Sequence, residues 1–296
     1  MIRMMKLKLL LAISLATLSG CSVDRVRFPW NDKGANQQAD DYLYKDISAP
    51  NTAPSPGKSS LLLGLPPLLT ELPPSGLQPL SQAVIDQCAK LIGIPAEETH
   101  LADKTNYGER IRSDAWRRPV ASTPQLIVLH ETVINQSQTI DLFKTPHQDD
   151  AQQVSYHLLI GRDGSLLRIV PDRSRAYGAG MSAFGDVTQR LKPGSVGSIN
   201  NIALHVSLVS PSGSSDELDT HSGYSQAQYK SLAAQVLLWQ AMYGIPLTRV
   251  TTHASVDRSH SRYDPRSFRW DIFDVHYRDA SRQCGFERFD NKTAGL

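Results

Sequence analysis

The 296-residue sequence predicts an α/β (α+β) domain built on a single mixed β-sheet flanked by helices. Three observations predict it. Compact apolar runs of strand length recur at residues 125–130, 155–160, 165–170 and 202–208. Between the second and third, Arg162-Asp163-Gly164 is a hairpin signal, because glycine accepts positive φ in the turn. A long helical pattern then runs from Ser225 to Tyr243, and strands mixed with helices around one hairpin give a mixed sheet.

Before this domain lies a leader of different character. Arg3, Lys6 and Lys8 precede a largely apolar run from Leu9 to Leu18, followed by Ser19, Gly20 and Cys21. A run of ten is too short to span a bilayer and reads as a signal segment over residues 1–20. Leu18-Ser19-Gly20-Cys21 resembles a bacterial lipobox, which implies a lipidated Cys21 and attachment to a membrane through that anchor. Ser22 points by the same resemblance to the outer membrane, facing the periplasm; ordinary secretion with a chance cysteine is the alternative. Removing the three basic residues takes the net charge from +2 to about −1, so composition gives no case for nucleic acid or for electrostatic membrane binding.

Residues 21–75 read as the anchor and a proline-rich tether, with Pro50, Pro54, Pro56, Pro66, Pro67, Pro73 and Pro74 and no sustained apolar period. The leucines between 61 and 69 are the exception, and the sequence does not place them. Residues 76–120 are expected to be an extension packed on a catalytic domain over 121–285, with a tail at 286–296. Apart from Cys21 the chain has Cys88 and Cys284. In an oxidising compartment these two form a disulfide, unless they are separate buried thiols. A monomer is the default expectation.

Within the folded part, Leu80–Ile92 suits a short amphipathic helix and Gln125–His130 a buried strand. Residues 202–208 form another strand. Ser225 with Gln228 makes a capping box for the long helix, Tyr229, Leu232, Ala233, Val236 and Leu237 share one face, and Gly244 with Pro246 ends it. Arg249–His253 reads as a last strand, closed by a histidine.

The chain has nine histidines, most of them given a bland default, and chemistry enters through three positions that rise above it when read together. His130 closes one buried strand, His253 closes another, and Asp264 follows eleven residues later before Pro265. Two imidazoles and a carboxylate with a fourth position for water are what a catalytic zinc site requires. The spacing alone is weak, since loop histidines and aspartates at such distances are common.

The context sharpens it. Leu126–Thr132, then Val154-Ser155-Tyr156-His157-Leu158-Leu159-Ile160-Gly161-Arg162-Asp163-Gly164, then His253 through Asp264-Pro265 resemble, in order, the type-2 N-acetylmuramoyl-L-alanine amidases and the related peptidoglycan recognition proteins. The resemblance covers about residues 120–275. It implies a sheet with zinc (Zn2+) at the floor of a groove, ligands at His130, His253 and Asp264, and hydrolysis of the amide joining N-acetylmuramic acid to L-alanine in peptidoglycan or muropeptides.

It also implies that Tyr156 stands beside the metal, the other reading being a strand aromatic packed against the sheet; strand alternation puts His157 on the opposite face, as a structural or supporting residue. Three positions depart from the family. His205 stands on the strand that carries a catalytic glutamate in intracellular and lipoprotein-type members, Arg262 replaces a lysine, and Gly178 replaces a histidine. His205 is then either the general base or a satisfied sheet histidine, and Arg262 keeps a positive charge for a developing oxyanion. Glu131 is a spare acid beside a ligand.

Two other readings stay open, a non-catalytic peptidoglycan-binding module and a zinc peptidase acting on stem peptides. The first typically loses a ligand, and the second lacks a His-Glu-x-x-His helix here. No G-x-S-x-G elbow supports a serine hydrolase, and neither cysteine has a nucleophile's surroundings.

Overall fold

The structure is a computed structural model and describes residues 70–214 and 218–289. The expected leader, Cys21 and most of the expected C-terminal tail lie outside those residues. In chain order the elements are α1 (Gln82–Ile92), β1 (Glu97–Thr99), β2 (Tyr107–Glu109), β3 (Leu126–Glu131), α2 (Gln136–Lys144), β4 (Leu158–Ile160), β5 (Leu166–Arg168) and β6 (Ser174–Ala176). They continue with β7 (Ala203–Leu208), α3 (Gln226–Tyr243), β8 (Val250–Thr252), α4 (His253–Val256) and α5 (Trp270–Cys284). Among the described residues no helix is long and apolar enough to cross a membrane.

Six strands form one mixed sheet in the order β1-β5-β4-β7-β3-β8, and β2 pairs with β6 in a separate two-stranded ribbon. β4, β7, β3 and β8 are parallel, while β5 turns back antiparallel to β4 and carries β1 parallel to itself. The turn between β4 and β5 is the one read from Asp163-Gly164: Gly164 has φ +88°, and its N–H donates to the Gly161 carbonyl at 2.9 Å. The central strands β3 and β7 are buried along their whole length, as parallel strands covered on both faces must be.

Alternation along these strands divides the interior. Ile127 and Leu129 of β3 with Leu204, Val206 and Leu208 of β7 pack against α1, α3 and α5. Leu126 and Val128 with Ala203 face the other way, onto Ala179, Val187 and Ile199 from the long segment before β7. Phe143 of α2 and Tyr156 pack on that second side, with Leu159 and Leu167. One face of the sheet thus carries three helices, and the other carries α2, the short α4 and loops.

The capping box of α3 is present, Ser225 accepting from Gln228 N–H and the Gln228 side chain returning to Ser225, and Gly244 ends the helix at φ 66°. Its sequence showed one apolar face. In the fold α1, α5 and the sheet surround it, so Ser231, Gln235 and Gln240 are buried as well.

Two expectations change. The last strand is shorter than Arg249–His253, because Thr252 caps a new helix by accepting from Ser255 N–H, and His253 becomes the first residue of α4. Residues 76–120 do more than pack on the domain. β1 adds the edge strand of the main sheet, Leu80 N–H donates to the Ala241 carbonyl of α3, and contacts begin as early as Thr70, whose carbonyl accepts from Gln189 Nε2.

Cys88 of α1 and Cys284 of α5 are joined in a disulfide across 196 residues of sequence. Closing so long a loop removes entropy from the unfolded chain, with a ceiling of about 5 kcal/mol and a typical yield of about 2–4 kcal/mol. A Cys88→Ser/Cys284→Ser variant should therefore unfold at lower urea concentration, by about 2–4 kcal/mol. An unchanged midpoint would mean that α1 and α5 are already held by packing alone.

Candidate metal centre

Alternation sends His130 to the loop-covered face of β3 and Glu131 to the helix-covered face. Two polar residues side by side at the end of a buried strand each require partners, and each finds a separate set.

His130 meets His253 and Asp264. Its Nδ1 lies 3.3 Å from Asp264 Oδ2, and His253 Nδ1 lies 2.9 Å from Asp264 Oδ1. Neither Nδ1 makes a hydrogen bond among the described residues, although both atoms are buried. One ligand atom from each of the three residues falls within 4.8 Å of the others. Burial pushes His130 down to about 4, against the pull of Asp264. Burial would raise Asp264, but His253 and His130 outweigh it and hold the carboxyl well below its usual range. Two imidazole nitrogens without hydrogen bonds, converging on an ionised carboxylate, fit a cation between them: the donor set is that of a zinc site with a position left open.

Local structure explains the convergence. His130 is delivered by β3, and its neighbour β8 leads into α4, whose first residue is His253. The Asp264 carbonyl accepts from Ala254 N–H at 3.0 Å, tying the loop of Asp264 to α4. That loop is shaped by Asp257, which accepts from the N–H groups of Ser259, Ser261 and Arg262.

Around the cluster, the Tyr156 ring stacks on His130 at 4.4 Å between centroids. Burial pushes its hydroxyl well above the ordinary range, and the Asp264 carboxylate adds to the effect. Arg262 lies near enough for its charge to act on both His130 and Tyr156. His205 is not beside the converging Nδ1 atoms. Its Nδ1 lies 2.9 Å from Nε2 of His130, on the far edge of that ring, and the residue is wholly buried. His157 faces neither ligand: its Nδ1 accepts from His205 N–H at 3.0 Å, and Nε2 stands 3.1 Å from the Ser174 carbonyl. Burial pushes both of these imidazoles well below the usual value, neighbouring charges adding to it.

The sequence reading missed Ser207, Arg110 and Val133, and gave Gly178 only as a departure from the family. Ser207, not His205, is the residue of β7 in register with His130; it shares that face, and its buried Oγ makes no hydrogen bond among the described residues. Alternation from His205 was the available signal. Gly178 lies against the His205 ring, and a Cβ there would stand 2.6 Å from its Cγ and Nδ1. Arg110, in the N-terminal extension, donates to the carbonyls of Asp172, Asn201 and Ala203 beneath β7. Val133, three residues past His130, has φ +62°, a strained value for a β-branched side chain. It is held by its N–H to Ser210 Oγ, and a cavity of about 640 Å³ opens there, lined by Asn135, Gln138, Arg162 and Ser212 among others.

Glu131 is no spare acid. Its carboxylate accepts from Arg266 Nε at 2.5 Å, Tyr224 hydroxyl at 2.8 Å and His221 Nε2 at 2.8 Å, all away from the cluster. Removing one partner of a buried pair leaves the other charge uncompensated, so Glu131→Ala should cost about 3–5 kcal/mol of stability in denaturant unfolding. Glu131→Gln, still able to accept from Tyr224, should cost less. A loss below about 1 kcal/mol for the alanine variant would mean that water replaces the carboxylate at Arg266.

No curated protein matches the chain. Among solved structures it is similar to a selenomethionine derivative of AmpD, at 23% identity and TM-score 0.45 over 60% of this chain and 94% of that one. It is also similar to the N-acetylmuramoyl-L-alanine amidase LysC from Clostridium intestinale URNW, at 19% identity and TM-score 0.40 over 60% and 95%. A third is AmpDh3 from Pseudomonas aeruginosa in complex with an anhydromuramic pentapeptide, at 20% identity and TM-score 0.41 over 63% and 70%. The sequence pattern of the N-acetylmuramoyl-L-alanine amidases matches residues 120–267, half of the chain, spanning β3 through Asp264; the chain belongs to the N-acetylmuramoyl-L-alanine amidase family.

Proposed function

We propose that the protein is a zinc-dependent enzyme that hydrolyses the amide between the lactyl group of N-acetylmuramic acid and L-alanine, in peptidoglycan or muropeptides. The observation that carries this reading is the convergence of the hydrogen-bond-free Nδ1 atoms of His130 and His253 on the Asp264 carboxylate, inside the region that matches the family. Those three residues would hold the zinc, which supplies Lewis acidity to the carbonyl under attack and lowers the pKa of water.

The chain's own groups do the rest. Tyr156, stacked on His130, keeps its proton and offers a hydroxyl donor to the oxygen on which charge develops. Arg262, whose charge acts on both His130 and Tyr156, adds positive charge to the same site, as a fixed cation and not as a proton donor. Ser207 Oγ, opposite His130 on β7, is a further polar atom on that face. His205, behind His130, does not touch the substrate in this reading. We further propose that Cys21 carries a lipid anchor that places the domain at the periplasmic face of the outer membrane. The support is the Leu18-Ser19-Gly20-Cys21 sequence after an apolar run.

Digestion of purified peptidoglycan tests the activity. The expected products are stem peptides with a free L-alanine amine and glycan ending in intact lactyl groups, with about one zinc per chain. Activity should disappear on chelation, return with zinc, and be absent in His130→Ala. Cleavage within the stem would instead mean a peptidase, and sacculus binding with no new product a recognition module.

A further inference from the structure

The two edges of the His130 ring face different neighbours. Nδ1 faces Asp264 and His253, while Nε2 lies 2.9 Å from Nδ1 of His205. A neutral imidazole carries one proton, so a lone pair free for a cation at Nδ1 requires the proton at Nε2, and that proton needs an acceptor. Nδ1 of His205 is in place to accept it. Were His205 to donate from Nδ1 instead, the proton of His130 would sit on the nitrogen facing the carboxylate.

We propose that His205 is a positioning residue: it fixes His130 as the Nε2–H tautomer, with Nδ1 turned to the His253–Asp264 cluster, and Gly178 lacks a side chain so that the His205 ring can stand there. The proposal rests on the metal reading above. The ring is fixed from several sides. Its backbone is in register with Val128 on β3, its N–H donates to His157 Nδ1, and its plane lies 9° from that of His157. On its remaining side a Cβ at residue 178 would collide with it at 2.6 Å, so no other amino acid leaves the ring in place. As an acceptor at Nδ1, His205 carries its own proton on Nε2, which is buried without a hydrogen-bond partner among the described residues. That costs stability, and an apolar side chain would fill the same space without the cost. The imidazole therefore serves His130, not the core.

The test measures affinity for zinc alone, by competition with a chromogenic chelator, on the purified chain. Supporting groups behind a metal-binding histidine are typically worth about 10–100-fold in affinity. His205→Ala and Gly178→Ala should each weaken zinc binding by about that factor. His205→Asn, whose Oδ1 stands about where Nδ1 stood, should stay within about threefold of the parent. His130→Ala separates the two levels of the argument. If it binds zinc like the parent, the metal reading itself fails. If it loses zinc while His205→Ala binds as tightly as the parent, only the role of His205 is overturned. Should His205→Ala not fold, the ring-nitrogen NMR spectrum of the metal-free parent decides: a His130 proton on Nε2 supports the role, and a proton on Nδ1 overturns it.

Discussion

The last two residues of β3 are the constraint on which the site depends. His130 and Glu131 are both fully buried, and strand alternation forces them to opposite faces of the same sheet. A buried imidazole and a buried carboxylate side by side cannot satisfy each other, so the fold supplies separate partners for each. On one face Asp264 and His253 gather around His130. On the other Arg266, His221 and Tyr224 close around Glu131. Asp264 and Arg266 belong to one short loop, and the Glu131 N–H reaches Asp264 Oδ2 at 3.4 Å. The ion pair on the helix side thus helps hold the loop that carries the carboxylate on the metal side.

The electrostatics follow from burial. His130, His157 and His205 lie in a dry layer where the charged form is disfavoured, and all three are pushed downward. Neutral imidazoles next to one ionised carboxylate are the protonation states in which such residues can ligate a cation. Burial is the main cause, and the charges of Arg110 and Arg262 near this layer add to it.

The segment before the family region is structural. β1 pairs with the edge of β5, with Arg168 bridging Glu97 and Asp172, so the sheet ends on a strand of only three residues. Arg110 braces the backbone under β7 from the same segment, and the disulfide ties α1 to α5. The hydrophobic interior shared by α1, α3 and α5 is therefore continuous from residue 77 to Phe289.

The sequence by itself determined the elements whose signals are local. The Asp-Gly turn, the capping box at Ser225 and the continuous apolar strands need no distant partner to be recognised, and the order of the family motifs pointed to His130, His253 and Asp264, a group that the fold brings together and that could hold a metal ion. It also held a signal that went unread, since Phe273, Tyr277 and Ala280 mark the buried face of α5 at helical spacing. Three-residue strands such as β1 and β6 carry no periodicity and exist only through their partners. Tertiary structure alone decided which edge of each ring faces which neighbour. Whether His205 meets the substrate or the back of His130 depends on the register of β7 against β3 and on the empty space at Gly178. Those are distances across the fold, and no local pattern encodes them.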